Sequence, residues 1–100
     1  MKGKLIMTWD IAPQHEQEYV EYVLKEFLPG LQAMGFELGD AWVTVFGKHP
    51  QILVSVLMEG VSDVQQALAD PRWQNLRGKL MEFVVNYNQK VVPATTNFQF

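Results

Sequence analysis

Hydrophobic residues alternate with polar ones along much of this chain, but two neighbouring segments break the rule by being apolar on both sides. These are residues 41–46 (AWVTVF) and 52–58 (ILVSVLM). Strand side chains point to opposite faces in turn, so Ile52, Val54, Val56 and Met58 share one face while Leu53 and Leu57 share the other, with Ser55 between them. A hairpin sheet ordinarily leaves one face in water. A sheet apolar on both faces needs two covers, and 100 residues hold helices enough for one. The expected second cover is another copy of the chain. The uninterrupted set from Ile52 is assigned to the helices, and the Leu53 and Leu57 set to the partner.

The remaining pattern completes the element order. Residues 4–11 (KLIMTWDI) alternate and stop before Pro13, giving a first strand. From Pro13 onward Tyr19, Val20, Val23, Leu24, Phe27, Leu28 and Leu31 recur every three or four residues, which predicts an amphipathic helix with Glu16, Glu18, Glu21, Lys25 and Glu26 outside. Pro29 should break or kink it, and Gly35 should cap a short continuation. Strands over about 37–47 and 51–59 follow, joined by GKHP. Ser62 and Gln65 have capping-box spacing for a short helix. Asp70 and Pro71 then start a second long helix, whose stripe is Trp73, Leu76, Leu80, Phe83 and Val84. A fourth strand is expected over about 85–92, with the tail PATTNFQF largely irregular.

Strand, helix, strand, strand, helix, strand is the ferredoxin-like βαββαβ order, an α+β fold with both helices on one face of a four-stranded antiparallel sheet. Residues 1–100 are read as one domain. The stretches EFLPGLQAMGFE, GDAW and ADPRWQNL make the chain resemble the dimeric α+β barrel superfamily, and within it NIPSNAP-like and antibiotic-biosynthesis-monooxygenase-like domains. The resemblance implies a homodimer with two sheets packed face to face. It also implies a pocket between sheet and helices that relatives use for aromatic polyketides, quinols, haem or other small hydrophobic ligands. Relatives that degrade haem place a ligating histidine on the second long helix; here His15 and His49 both precede that helix, which disfavours haem degradation in that manner. The cofactor-free oxygenases of the superfamily use Asn, Tyr, Trp or Arg side chains around a substrate that itself activates oxygen, and this chain has all four types.

Composition removes several other classes. Eight Lys and Arg against eleven Asp and Glu give a net charge of −3, with the basic residues dispersed, so neither nucleic acid nor an anionic membrane is an expected partner. The absence of cysteine removes disulfides, thiolate nucleophiles and Cys-ligated zinc. The opening MKGKLIMTWD is too polar for a signal-peptide core or a membrane span, and a soluble cytoplasmic protein is the expectation. Serine-hydrolase, P-loop and dinucleotide motifs are missing, and no cofactor is expected.

The candidate ligand-binding residues are Trp9, Tyr19, Trp42, Arg72, Trp73, Tyr87 and His15. Each has a plainer role to weigh. The three tryptophans lie on amphipathic elements, where an indole ring buries well while its N–H seeks an acceptor; with Tyr19, Phe27 or Tyr87 one of them could instead wall a pocket. Arg72 and Arg77 read as solvated helix residues or as anchors for an acidic ligand. His15 reads as a polar residue at a helix start or as an acid/base group on a pocket rim. His15 with Glu18 supplies two metal-ligand atoms and no convincing third, so no metal site is predicted. His49 reads as a turn residue. Two functions stay open: a small-molecule-binding or monooxygenase-like domain, and a non-catalytic dimeric module whose pocket space is filled by its own side chains.

Overall fold

The structure is a computed structural model and describes residues 1–43 and 52–94. Strands β1 (Gly3–Ile11), β2 (Glu37–Val43), β3 (Ile52–Met58) and β4 (Val84–Pro93) form one antiparallel sheet in the order β2-β3-β1-β4. Helical segments α1 (Glu16–Tyr22), a π turn (Val23–Phe27) and α2 (Leu28–Ala33) connect β1 to β2, while α3 (Val61–Leu68) and α4 (Pro71–Leu80) connect β3 to β4. This is the expected ferredoxin-like arrangement. The GKHP loop, His49, residues 44–47, Gln51 and the tail beyond Ala94 lie outside the described residues.

Register decides which side chains share a face. Leu5, Met7 and Trp9 stand opposite Val56, Val54 and Ile52, and all six are buried in one cluster with Tyr19, Phe27, Leu31, Val64, Trp73 and Leu80 from the helices. The Ile52, Val54 and Val56 set therefore faces the helices, as the uninterrupted pattern predicts. Lys4, Ile6 and Thr8 stand opposite Leu57, Ser55 and Leu53 and line the second face, away from that cluster.

The first long helix departs from the expected pattern in two ways. It begins at Glu16, so Pro13 and Gln14 belong to the preceding turn and His15 sits at the cap position, not in the first helical turn. Its buried positions are Tyr19, Tyr22, Val23, Phe27 and Leu31, while Val20 and Leu24 are 48% and 62% exposed. The spacing explains this. Residues 19, 23, 27 and 31 are four apart, and at 3.6 residues per turn a four-residue step drifts about 40°, so three steps would carry Leu31 off the core face. The π turn holds more residues per turn and restores the alignment. It lies directly before Pro29, whose missing N–H and bulky ring obstruct an ordinary helical hydrogen bond. Pro29 thus widens the helix, which continues to Ala33 and is closed by Gly35 at φ +101°.

Other caps divide between agreement and correction. Asp70 caps α4 with its Oδ1 accepting from the Arg72 N–H at 2.8 Å, and Pro71 opens the helix. α3 starts at Val61 with Gly60 as its cap and no side-chain cap bond, so the Ser62 and Gln65 capping box does not form. α4 ends at Leu80, one turn earlier than its apolar stripe suggests. The β-branched Val84 and Val85 instead enter β4, with Val84 buried opposite Ile11. The strand also runs one residue further than expected at each end, to include Val84 and Pro93.

Candidate functional site

Four of the seven candidates, Trp9, Tyr19, Trp73 and Tyr87, lie on the helix side of the sheet, and three of these form a connected aromatic group around Trp9. β1 directs Trp9 inward, where it is fully buried and its indole Nε1–H donates to the Tyr19 hydroxyl at 2.9 Å. The ring is crossed edge-on by Tyr19 and Phe27, with centroids 6.3 Å and 6.1 Å away. Tyr87 stacks on it at 6.1 Å with planes 9° apart. A register shift makes that stack possible: Thr8 pairs with Asn88 and Asp10 with Val85, so Asn86 and Tyr87 together face Trp9. Asn86 takes φ +57°, the left-handed conformation that asparagine tolerates, and its Nδ2 donates to Asp10 Oδ2 at 2.9 Å.

α4 closes this group. Trp73 is buried 6.4 Å from Phe27. The half-buried Arg77 holds its guanidinium 4.9 Å above the Tyr87 ring, a cation–π contact. The Tyr87 hydroxyl donates to Gln89 Oε1 at 2.7 Å. Burial pushes the Tyr87 phenol up to about 12, against the opposing pull of Arg77. Burial likewise raises Tyr19, with the Trp9 hydrogen bond acting against it. Tyr22, whose hydroxyl donates to the Leu76 carbonyl at 2.7 Å, is pushed up to about 12 by burial and by the carboxylates of Glu26 and Glu82. Such groups stay neutral phenols near neutral pH, able to donate a hydrogen bond but not to act as phenolate bases.

The other candidates lie apart. Trp42 is on β2 opposite Leu53, on the second face of the sheet, and is 50% exposed. It is not part of the Trp9 group. Arg72 is exposed and engaged by Asp70 at 3.0 Å, and this bond holds the Asp70 carboxyl below its ordinary range. His15 is exposed, with Nδ1 3.1 Å from Glu18 Oε1 and its ring 6.4 Å from Phe83. Among the described residues no group of three or more His, Cys, Asp or Glu side chains is placed to hold a metal. No helix is long and apolar enough to cross a membrane.

Surface depressions of about 280, 260, 190 and 250 Å³ are lined by described residues. None of the four is walled by Trp9, Tyr19, Trp73 or Tyr87. Where the resemblance implies a pocket between sheet and helices, Trp9, Phe27 and Trp73 pack against one another. Neither the Arg77 to Tyr87 contact nor the Asn86 bulge follows from the sequence pattern. Arg77 stands four residues after Trp73 on the same helix, the one signal that could have placed it beside the aromatic group.

No protein-family model matches the sequence, and no curated protein matches it either. Solved structures do. A NIPSNAP family protein from Agrobacterium tumefaciens superposes with a TM-score of 0.71 at 20% identity, covering 96% of this chain and 95% of that one. An ethyl tert-butyl ether d (EthD) family protein from Bacillus halodurans gives 0.71 at 14% identity, over 95% of this chain and all of that one. A protein of unknown function from Bacteroides fragilis, described as dimeric and ferredoxin-like, gives 0.63 at 13% identity over 91% of this chain and 94% of that one. The chain has the fold of NIPSNAP family proteins, and at these identities the likeness is one of fold.

Proposed function

We propose that this protein is a homodimeric α+β barrel module, joined through the second faces of two sheets, whose helix-side interior is filled by its own aromatic side chains. The observation that carries the reading is the composition of that face. Ile6, Leu53, Leu57 and Val92 share it by register with Lys4, Thr8, Ser55, Asn88 and Lys90, and the helices pack on the opposite side; Leu53, Leu57 and Val92 remain partly exposed in the single chain, whereas Ile6 is already buried. A second copy placed by a two-fold axis would cover each patch with its own equivalent. The Bacteroides fragilis neighbour is described as dimeric, which supports self-association without saying through which face. The packing of Tyr19, Phe27 and Tyr87 on Trp9, with Trp73 on Phe27, favours an assembly or protein-interaction role over catalysis. Placing Asp at Leu53 should yield monomer or aggregate, whereas Asp at the exposed Gln17 should leave the dimer intact. Size-exclusion chromatography of the two variants separates them, and a dimeric Leu53→Asp protein would count against the interface.

One observation favours a second reading, a small hydrophobic or aromatic ligand with cofactor-independent monooxygenase-like activity. Arg77 is half-buried beside Tyr87 and makes no ion pair with a carboxylate among the described residues. A cation so placed suits an acidic aromatic ligand at the mouth between sheet and α4. Native mass spectrometry of freshly purified protein is the direct test: a bound organic molecule lost in an Arg77→Leu variant would favour this reading, and bare polypeptide would favour the module.

A further inference from the structure

The second face of the sheet is chemically divided, and the division points to a site that a single subunit does not complete. Along the β1 and β3 side it presents Ile6, Leu53 and Leu57. Along the β1 and β4 side Ile6 stands opposite Lys90 and Thr8 opposite Asn88. There a depression of about 280 Å³ is lined by Ile6, Thr8, Asn88, Gln89 and Lys90. Its floor is apolar and its rim carries a hydroxyl, a carboxamide and an ammonium group.

The charges on this face are unevenly matched. Lys2 bonds Glu37 at 2.6 Å, and Lys4 lies 3.9 Å from Asp40. Lys90 makes no ion pair among the described residues. In the free subunit it is exposed and water solvates it. In the dimer proposed above, the opposing sheet would roof the depression and strip much of that water away. A buried cation without a counter-charge is strongly unfavourable, so the roofed chamber calls for an anion. Thr8 lines the same depression with a hydroxyl that can donate, Asn88 donates one Nδ2 hydrogen to the Asn86 carbonyl at 3.3 Å and keeps a second, and the Ile6 floor suits a compact apolar body. One cation per chamber matches a monoanion better than a phosphate dianion.

We propose that the chamber enclosed between β1 and β4 of one subunit and the sheet of its partner binds a small monocarboxylate, with Lys90 as the charge partner and Ile6 as the apolar floor. The proposal rests on the dimer reading, and the experiment separates the two. Benzoate is the probe and benzyl alcohol the uncharged control, both titrated calorimetrically into protein whose oligomeric state is measured by sedimentation in the same buffer. The expected result is saturable benzoate binding to the dimer, with benzyl alcohol at least about tenfold weaker. Lys90→Met should stay dimeric and lose about tenfold in benzoate affinity, about 1.4 kcal/mol, while Lys90→Arg retains binding. A wild-type dimer that shows no saturable benzoate binding in the millimolar range would overturn the site and leave the dimer standing. Unchanged affinity in Lys90→Met would do the same. A monomeric wild-type protein would overturn both.

Discussion

Trp73 shows most simply how one side chain holds this molecule together. It is almost fully buried at the restart of the second helical layer, in contact with Phe27, whereas its neighbour Arg72 is exposed and bonded only to Asp70. Trp73→Ala should therefore cost about 3–5 kcal/mol, and Arg72→Ala far less, because an exposed ion pair is screened by solvent. Chemical denaturation of both variants measures the difference; equal midpoints would mean that the ring is replaceable. Tyr22 and Tyr87 carry a second prediction. Both titrate at about 12 in the fold against an ordinary value of 10.0, so folding favours their neutral forms. Their contribution to stability is fully present below about pH 10 and is lost as pH rises through about 12. Stability should fall in that window, and Tyr87→Phe should fall less steeply, which denaturation at about pH 9 and about pH 11 will test. The aromatic group was only partly legible in the sequence. Trp9, Tyr19 and Trp73 declared themselves by period, while Tyr87 reached its place through a bulge at Asn86 that no alternation reveals, and Trp42 went to the other face.

At the level of elements, strands are more legible in this sequence than helices because a period of two leaves little room for drift. β1 and β3 agree with their alternation to within a residue at each end, and the division of β3 into helix-facing and outward sets is the observed one. The helices were harder. Val20 and Leu24 fit an ideal helical stripe, yet the π turn before Pro29 keeps a four-residue row on the core instead. The end of α4 was hidden for a related reason: Phe83 and Val84 fit its stripe, but pairing with β1 claimed Val84. Gly3 supplies a test of how closely strand and helix layers approach. A Cβ there would lie 2.5 Å from the carbonyl oxygen of Gly60, a backbone atom at the cap of α3. Gly3→Ala should destabilise by about 1–3 kcal/mol through displacement of that cap. Thermal denaturation reads the effect, and an unchanged melting temperature would mean that β1 and the α3 cap separate without cost.

For the whole molecule, the central claim is that the sheet has two covers and the chain supplies one. The fold shows the supplied cover, with every buried helix residue on the side of Leu5, Met7, Trp9, Val54 and Val56. Alternation predicts the other cover, and the register places Leu53, Leu57, Ile6 and Val92 on that face among Lys4, Thr8, Ser55, Asn88 and Lys90, with Leu53, Leu57 and Val92 partly exposed in the single chain. A permanent dimer joined through that face would bury about 1,500 Å² or more in total. Function was far less legible than fold, because the motifs that mark the chain specify a widened helix, a strand entry and a helix restart, and these are positions of structure rather than chemistry. Sedimentation velocity of the unaltered protein at micromolar concentration addresses the claim directly. The account predicts a single species of twice the chain mass that persists on dilution; a stable, monodisperse monomer would contradict it.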